Sequence, residues 1–79
     1  MDEKIYKLII GGKSDNNIKY TDFENLIIDL GFKFQRQRGS HELFYNHKIK
    51  ERLNIQSDGS KAKAYQVRQL RNLILKYNL

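Results

Sequence analysis

Gly31-Phe32-Lys33-Phe34-Gln35-Arg36-Gln37-Arg38-Gly39-Ser40-His41-Glu42-Leu43-Phe44-Tyr45-Asn46-His47 is the stretch that decides the fold. Before it, apolar residues recur at helical spacing. From Phe32 onward, aromatic and then arginine residues fall two apart, which is the period of a β-strand. Gly39-Ser40 is a turn signal, and residues 41–47 read as a returning strand. A loop of two or four residues puts His41, Leu43 and Tyr45 on the face shared by Phe32, Phe34, Arg36 and Arg38. A loop of three or five groups Glu42, Phe44 and Asn46 with them instead. The sequence leaves both registers open.

Downstream, residues 51–56 carry Leu53 and Ile55 against Arg52 and Asn54, which predicts a third strand. Ser57-Asp58-Gly59-Ser60 breaks it. From Ala64, the residues Val67, Leu70, Ile74 and Tyr77 form a helical stripe widened by Leu73. Upstream, Ile5, Leu8 and Ile9 predict a short amphipathic helix over residues 2–10, ended by Gly11-Gly12. Residues 13–19 read as a polar loop. Thr21-Asp22-Phe23-Glu24 has the form of a capping box. The apolar series Phe23, Leu26, Ile27, Leu30 and a left-handed stop at Gly31 then complete a second helix. Two helices, a three-stranded antiparallel meander and a final helix predict an α+β fold with helices on one sheet face.

Length and composition limit what such a domain can do. At 79 residues there is room for one core. A hydrophobic content of 39% argues against wholesale disorder. With no Cys, disulfides, thiol chemistry and Cys-containing zinc sites are excluded. No uninterrupted apolar run exceeds the three residues of Leu8-Ile9-Ile10, against roughly 20 residues for a membrane span. The start Met1-Asp2-Glu3 is unlike a secretory signal, so a cytoplasmic domain with no membrane partner is expected.

The net charge of +6 is segregated. Residues 1–30 carry 4 Lys and 6 acids, a net of −2, while residues 31–79 carry 11 basic and 3 acidic groups, a net of +8. All five arginines fall in the second part. Such a distribution points to a polyanionic partner.

Several constellations could carry chemistry. Gly11-Gly12-Lys13-Ser14 ends like a phosphate-binding loop, but the first glycine of that pattern would fall at Lys7, so a helix terminator explains it. His41 and His47, six apart on one strand, would lie about 20 Å from each other. They make neither a metal site nor a two-histidine ribonuclease site, and His47 reads as an exposed turn residue. Phe32 and Phe34 read as core.

Gly39-Ser40-His41 differs in its surroundings, because Arg36 and Arg38 lead into it. A phosphate held there would sit beside His41. A neutral imidazole in that place is a candidate general base for a ribose 2′-hydroxyl, with arginine stabilising the charge that builds on phosphorus. That route needs no metal or cofactor. Gly59-Ser60-Lys61-Ala62-Lys63-Ala64 places Lys61 and Lys63 at a helix N-terminus, a second candidate anion site. Arg68 and Arg71 continue a basic stripe, although Arg71 or Lys76 alone reads as a solvated face.

Taken together, Gly31-Phe32-x-x-x-Arg36-x-x-Gly39-Ser40-His41-x-x-Phe44 resembles the HicA family of bacterial toxins from toxin–antitoxin operons. The similarity covers about residues 20–79, leaving 1–19 as an N-terminal extension. Asp58-Gly59-x-x-Ala62-Lys63-x-Tyr65-Gln66-Val67 is similar to a subset of members. The resemblance implies a double-stranded-RNA-binding-domain-like fold and an mRNA interferase neutralised by a HicB-type antitoxin. It also implies that His41 is catalytic. The Pro-x-His element that many members carry after the third strand is replaced here by Gln56-Ser57-Asp58-Gly59. The expected function is therefore an RNA-cleaving toxin, with Gly39 and Ser40 shaping the turn and Arg36, Arg38, Lys61, Lys63 and Arg68 holding phosphates. A module that binds RNA without cutting it is the alternative.

Overall fold

Asp2 begins the chain's first helix: its side chain accepts from the Lys4 and Ile5 amides, satisfying donors that the first turn leaves free. The computed structural model describes residues 1–79. It contains α1 (Glu3–Gly11), α2 (Tyr20–Asp29), β1 (Lys33–Arg38), β2 (His41–Asn46), β3 (Glu51–Ile55), β4 (Ser57–Asp58), β5 (Lys61–Ala62) and α3 (Ala64–Tyr77). Strands β1, β2 and β3 form an antiparallel meander in that order, and β4 pairs with β5 in a small separate hairpin. The chain is thus α+β, with three helices and a three-stranded antiparallel sheet. No helix is long and apolar enough to cross a membrane.

One hydrophobic cluster joins the layers. Ile5 and Ile9 of α1, Ile18 of the segment before α2, Phe23, Leu26 and Ile27 of α2, Val67, Leu70 and Ile74 of α3, and Phe44, Leu53 and Ile55 of the sheet all belong to it. Each buried Ile, Leu or Val stabilises by about 1.5–3 kcal/mol relative to exposure. Along β3, Leu53 and Ile55 are buried while Arg52 and Asn54 are exposed. The helices therefore cover one sheet face and leave the other open.

The hairpin register is neither of the two uniform alternatives. Arg38 pairs with His41 across the two-residue Gly39-Ser40 loop, so Arg36 and Arg38 share a face with His41 and Leu43. A bulge between Phe34 and Arg36 then shifts the pairing, and Phe34 lies opposite Phe44. An extra residue in one strand of an antiparallel pair reverses the alternation beyond it. The arginine end of β1 follows the even-loop parity and the aromatic end the odd one. Phe32 is buried as expected, at 1% exposure, but Phe34 is 49% exposed and packs edge-on against Phe44 from the sheet border.

The start of α2 also departs from the sequence reading. Lys19, not Thr21, occupies the cap position, and no side chain caps the helix. Residues 18–20 are instead tied to the β4–β5 hairpin: Ala62 N–H donates to the Ile18 carbonyl and Tyr20 N–H to the Ser60 carbonyl. This backbone pairing satisfies the Tyr20 amide, and the helix starts two residues earlier than a Thr21 cap would have it. Glu24 is thereby released from a capping role. At the other end, Gly31 takes φ +101 beside the buried Asn46, whose amide donates to the Leu30 carbonyl. The Asn46 side-chain oxygen, Oδ1, accepts from the Lys48 and Ile49 backbone amides, closing the β2–β3 turn. The third strand stops at Ile55, and residues 57–62, read as a break running into a helix, contain the second hairpin.

Candidate functional site

The Gly39-Ser40 turn brings the ends of β1 and β2 together with the fewest residues a hairpin permits. Gly39 has φ +59, and Ser40 does not share the positive φ. That pattern suits a type II′ turn, for which glycine is the natural first central residue. His41 follows as the first residue of β2, on the open face of the sheet. Its neighbour Glu42 points the opposite way, where its carboxylate accepts a hydrogen bond from the Tyr20 hydroxyl at 2.6 Å.

His41 is held by a residue the sequence reading placed on a strand's polar face without assigning it a role. Its Nδ1 lies 2.8 Å from Asn54 Oδ1. An amide oxygen only accepts, so Nδ1 is the donor in this contact, and in the neutral ring the lone pair then falls on Nε2. Asn54 pairs with Leu43, which makes it a diagonal neighbour of His41 on the same face. Finding Asn54 requires the β2–β3 register, which the Asn46-capped turn sets and which no local motif announces.

Two adjoining depressions mark this face. The smaller, about 260 Å³, is lined by Arg38, His41, Leu43 and Asn54. The larger, about 710 Å³, shares Leu43 and Asn54 and extends past Arg36, Tyr45, His47 and Arg52. No carboxylate lines either one. The three arginines therefore make a uniformly positive surface. His47 stands exposed in the turn after β2 and meets Tyr45 edge-on at 4.6 Å.

Ser40 has a second connection. Gln56 Nε2 donates to Ser40 Oγ at 2.5 Å, and Gln56 Oε1 accepts from Lys63 Nζ at 2.8 Å. Gln56 therefore links the glycine-serine turn to the residue that precedes α3. Sequence reasoning passed over Gln56; its only signal is its position two residues after Asn54 in the strand alternation.

The remaining basic residues divide. Arg36, Arg38 and His41 are brought together on the open face, and Lys63 reaches it through Gln56. Lys61 does not stand at a helix N-terminus. It lies in β5 opposite Asp58, three residues before α3, because Ala62 is drawn into pairing with Ile18. Arg68 is exposed on α3, which packs on the opposite side of the sheet from His41. Arg71 is not a solvated face residue. Its guanidinium grips both Asp15 oxygens, at 2.9 and 3.1 Å, and also donates to the Ile9 carbonyl. The Asp15 hydrogen bond raises its already high pKa.

Beneath β2, Glu24 and Glu42 meet beside Tyr20. Burial, then the hydrogen bond and negative charge of Glu42, push the Glu24 carboxyl up to about 7. Burial and the hydrogen bond to Glu42 also push the Tyr20 hydroxyl far above its ordinary range. The site's acids are thus gathered on the helix side, and its bases face outward.

No family model matches the chain, and neither a curated protein nor a solved structure matches it. Fold and site together define a small α+β domain with one oriented imidazole on a basic, carboxylate-free sheet face.

Proposed function

We propose that this chain is a metal-independent endoribonuclease of the HicA type, the toxin of a type II toxin–antitoxin pair. It would work in the cytoplasm on messenger RNA, on a double-stranded-RNA-binding-domain-like fold, and be neutralised by a HicB-type antitoxin. The observation that carries this reading is the His41–Asn54 hydrogen bond, which occupies Nδ1 and leaves Nε2 free to serve as the base in the depression it shares with Arg38. From there Nε2 takes the proton of a ribose 2′-hydroxyl as that oxygen attacks the adjacent phosphorus. Arg38 and Arg36 stabilise the charge accumulating on the phosphate oxygens. The imidazolium then returns its proton to the departing 5′-oxygen, leaving a 2′,3′-cyclic phosphate. A single positioned base contributes about 10²–10⁴-fold, so turnover is slow.

The test is RNA cleavage by the purified protein with and without EDTA, beside the His41→Ala variant. Cleavage that survives the chelator, yields cyclic-phosphate ends and disappears in a folded His41→Ala protein supports the reading. Undiminished cleavage or growth arrest by His41→Ala overturns the catalytic assignment. RNA binding with no cleavage by the parent chain leaves the simple binding module.

A further inference from the structure

The helix-free face of the sheet is larger than one imidazole and one phosphate require. The depression around His41 continues without a carboxylate into the one bounded by Arg36, Arg52, Tyr45 and His47, with Leu43 and Asn54 forming the shared wall. Alternation along β2 places Tyr45 and His41 on the same face, four residues apart, which is about 14 Å along a strand. At the far end, the Tyr45 and His47 rings meet at 85°, forming a corner with one ring face-on and the other edge-on to an incoming flat group. Arg52, opposite Tyr45 on β3, and Arg36 on β1 flank the route between the two ends.

We propose that this trough is a binding track for single-stranded RNA, with one base stacked in the Tyr45–His47 corner. Its backbone crosses Arg52 and Arg36 toward His41. Charge complementarity selects the occupant: the lining has three arginines and no acid, and an apolar-aromatic wall stands between them. Aromatic rings on a positive groove suit unpaired bases, whereas a duplex offers its stacked bases to no side chain. The track rests on the endoribonuclease reading only for its direction; its affinity for RNA does not depend on cleavage.

Binding is therefore measured in a His41→Ala background, by fluorescence anisotropy with a labelled single strand on the order of 10 nucleotides. Tyr45→Ala and Tyr45→Leu each weaken binding by about 10-fold or more, because Leu restores bulk without a π-face, while Tyr45→Phe binds like the background protein. Arg52→Ala reduces the steepness of the salt dependence by about 0.7 in log–log slope, the share of one phosphate contact on a single strand. Circular dichroism confirms that each variant is folded. Unchanged affinity in Tyr45→Leu and Arg52→Ala overturns the track, and leaves the face to a protein partner. Failure of the parent chain to cleave RNA while these effects persist overturns the endoribonuclease reading and leaves the track standing.

Discussion

His41 and Asn54 are diagonal neighbours across β2 and β3, and their side chains meet at 2.8 Å on the open face of the sheet. The contact fixes both the tautomer and the direction of the imidazole. It depends on the pairing of Leu43 with Asn54, so a register slip of one residue would send Asn54 to the other face.

Asn54→Ala removes the acceptor that holds Nδ1–H, and Nε2 then carries the proton for part of the time. Cleavage should fall by about 10-fold or more, yet less than the roughly 10²–10⁴-fold expected of His41→Ala. Asn54→Asp keeps an acceptor and adds a negative charge, which favours imidazolium. The acidic limb of the rate–pH profile should move to higher pH in that variant. Single-turnover rates across pH 5–9 measure both effects, and identical profiles in all three proteins would show that Asn54 does not orient the base.

Gln56→Ala breaks the connection between Ser40 and Lys63. Gln56 is half-buried and its side chain makes these two hydrogen bonds, so stability should fall by about 1–2 kcal/mol. Cleavage should fall between a few-fold and about 10²-fold, the range that small misplacements of reacting groups produce. A urea melt beside a rate measurement separates the two. Loss of activity in proportion to loss of folded protein would reduce Gln56 to a structural residue.

Sequence periodicity reached the α+β architecture because the switch from helical to strand spacing at Gly31 is local. The turn at Gly39-Ser40 and the helix stops at Gly12 and Gly31 were legible for the same reason: each is a backbone demand met by one residue type. The bulge at Gln35 was not, since nothing in Phe34-Gln35-Arg36 distinguishes an inserted residue from a paired one. Thr21 failed as a cap because a hairpin some 40 residues later supplies the Tyr20 amide with its acceptor. Asn54 and Gln56 were missed by the same physics. Their roles come from long-range pairing, and only His41 stood in a recognisable turn.

Arg71 ties the end of α1 and the loop at Asp15 to α3 with a two-pronged contact whose side chains are only 17% and 13% exposed. Arg71→Ala leaves the Asp15 carboxylate and the Ile9 carbonyl short of partners. It should lower stability by about 2–3 kcal/mol, below the roughly 3–5 kcal/mol of a fully buried pair because both side chains keep some contact with solvent. Arg71→Lys keeps the charge but lacks the fork, so it should recover only part of the loss. In a double-mutant cycle with Asp15→Asn, the two losses should be clearly less than additive. Urea denaturation of the four proteins gives the coupling, and full additivity would dissolve the clamp.

Glu24 gives stability a pH dependence that ordinary surface carboxylates do not. Its carboxyl is raised from 4.5 to about 7 in the folded protein, chiefly by burial and then by Glu42. The folded state therefore holds a proton that the unfolded chain has already released. The resulting stabilisation is complete below pH 4.5 and is lost as pH rises through about 7. A tenfold change in proton affinity is worth about 1.4 kcal/mol, and partial solvation of the carboxyl discounts it, so about 1–2 kcal/mol should disappear between pH 5 and 8. Glu24→Gln keeps a neutral hydrogen-bonding group beside Glu42 at every pH. Its stability should match the parent at pH 5, exceed it at pH 8, and lose that slope between them. Chemical denaturation at these two pH values decides the matter; equal pH dependence in the two proteins would show that Glu24 and Glu42 do not share a proton.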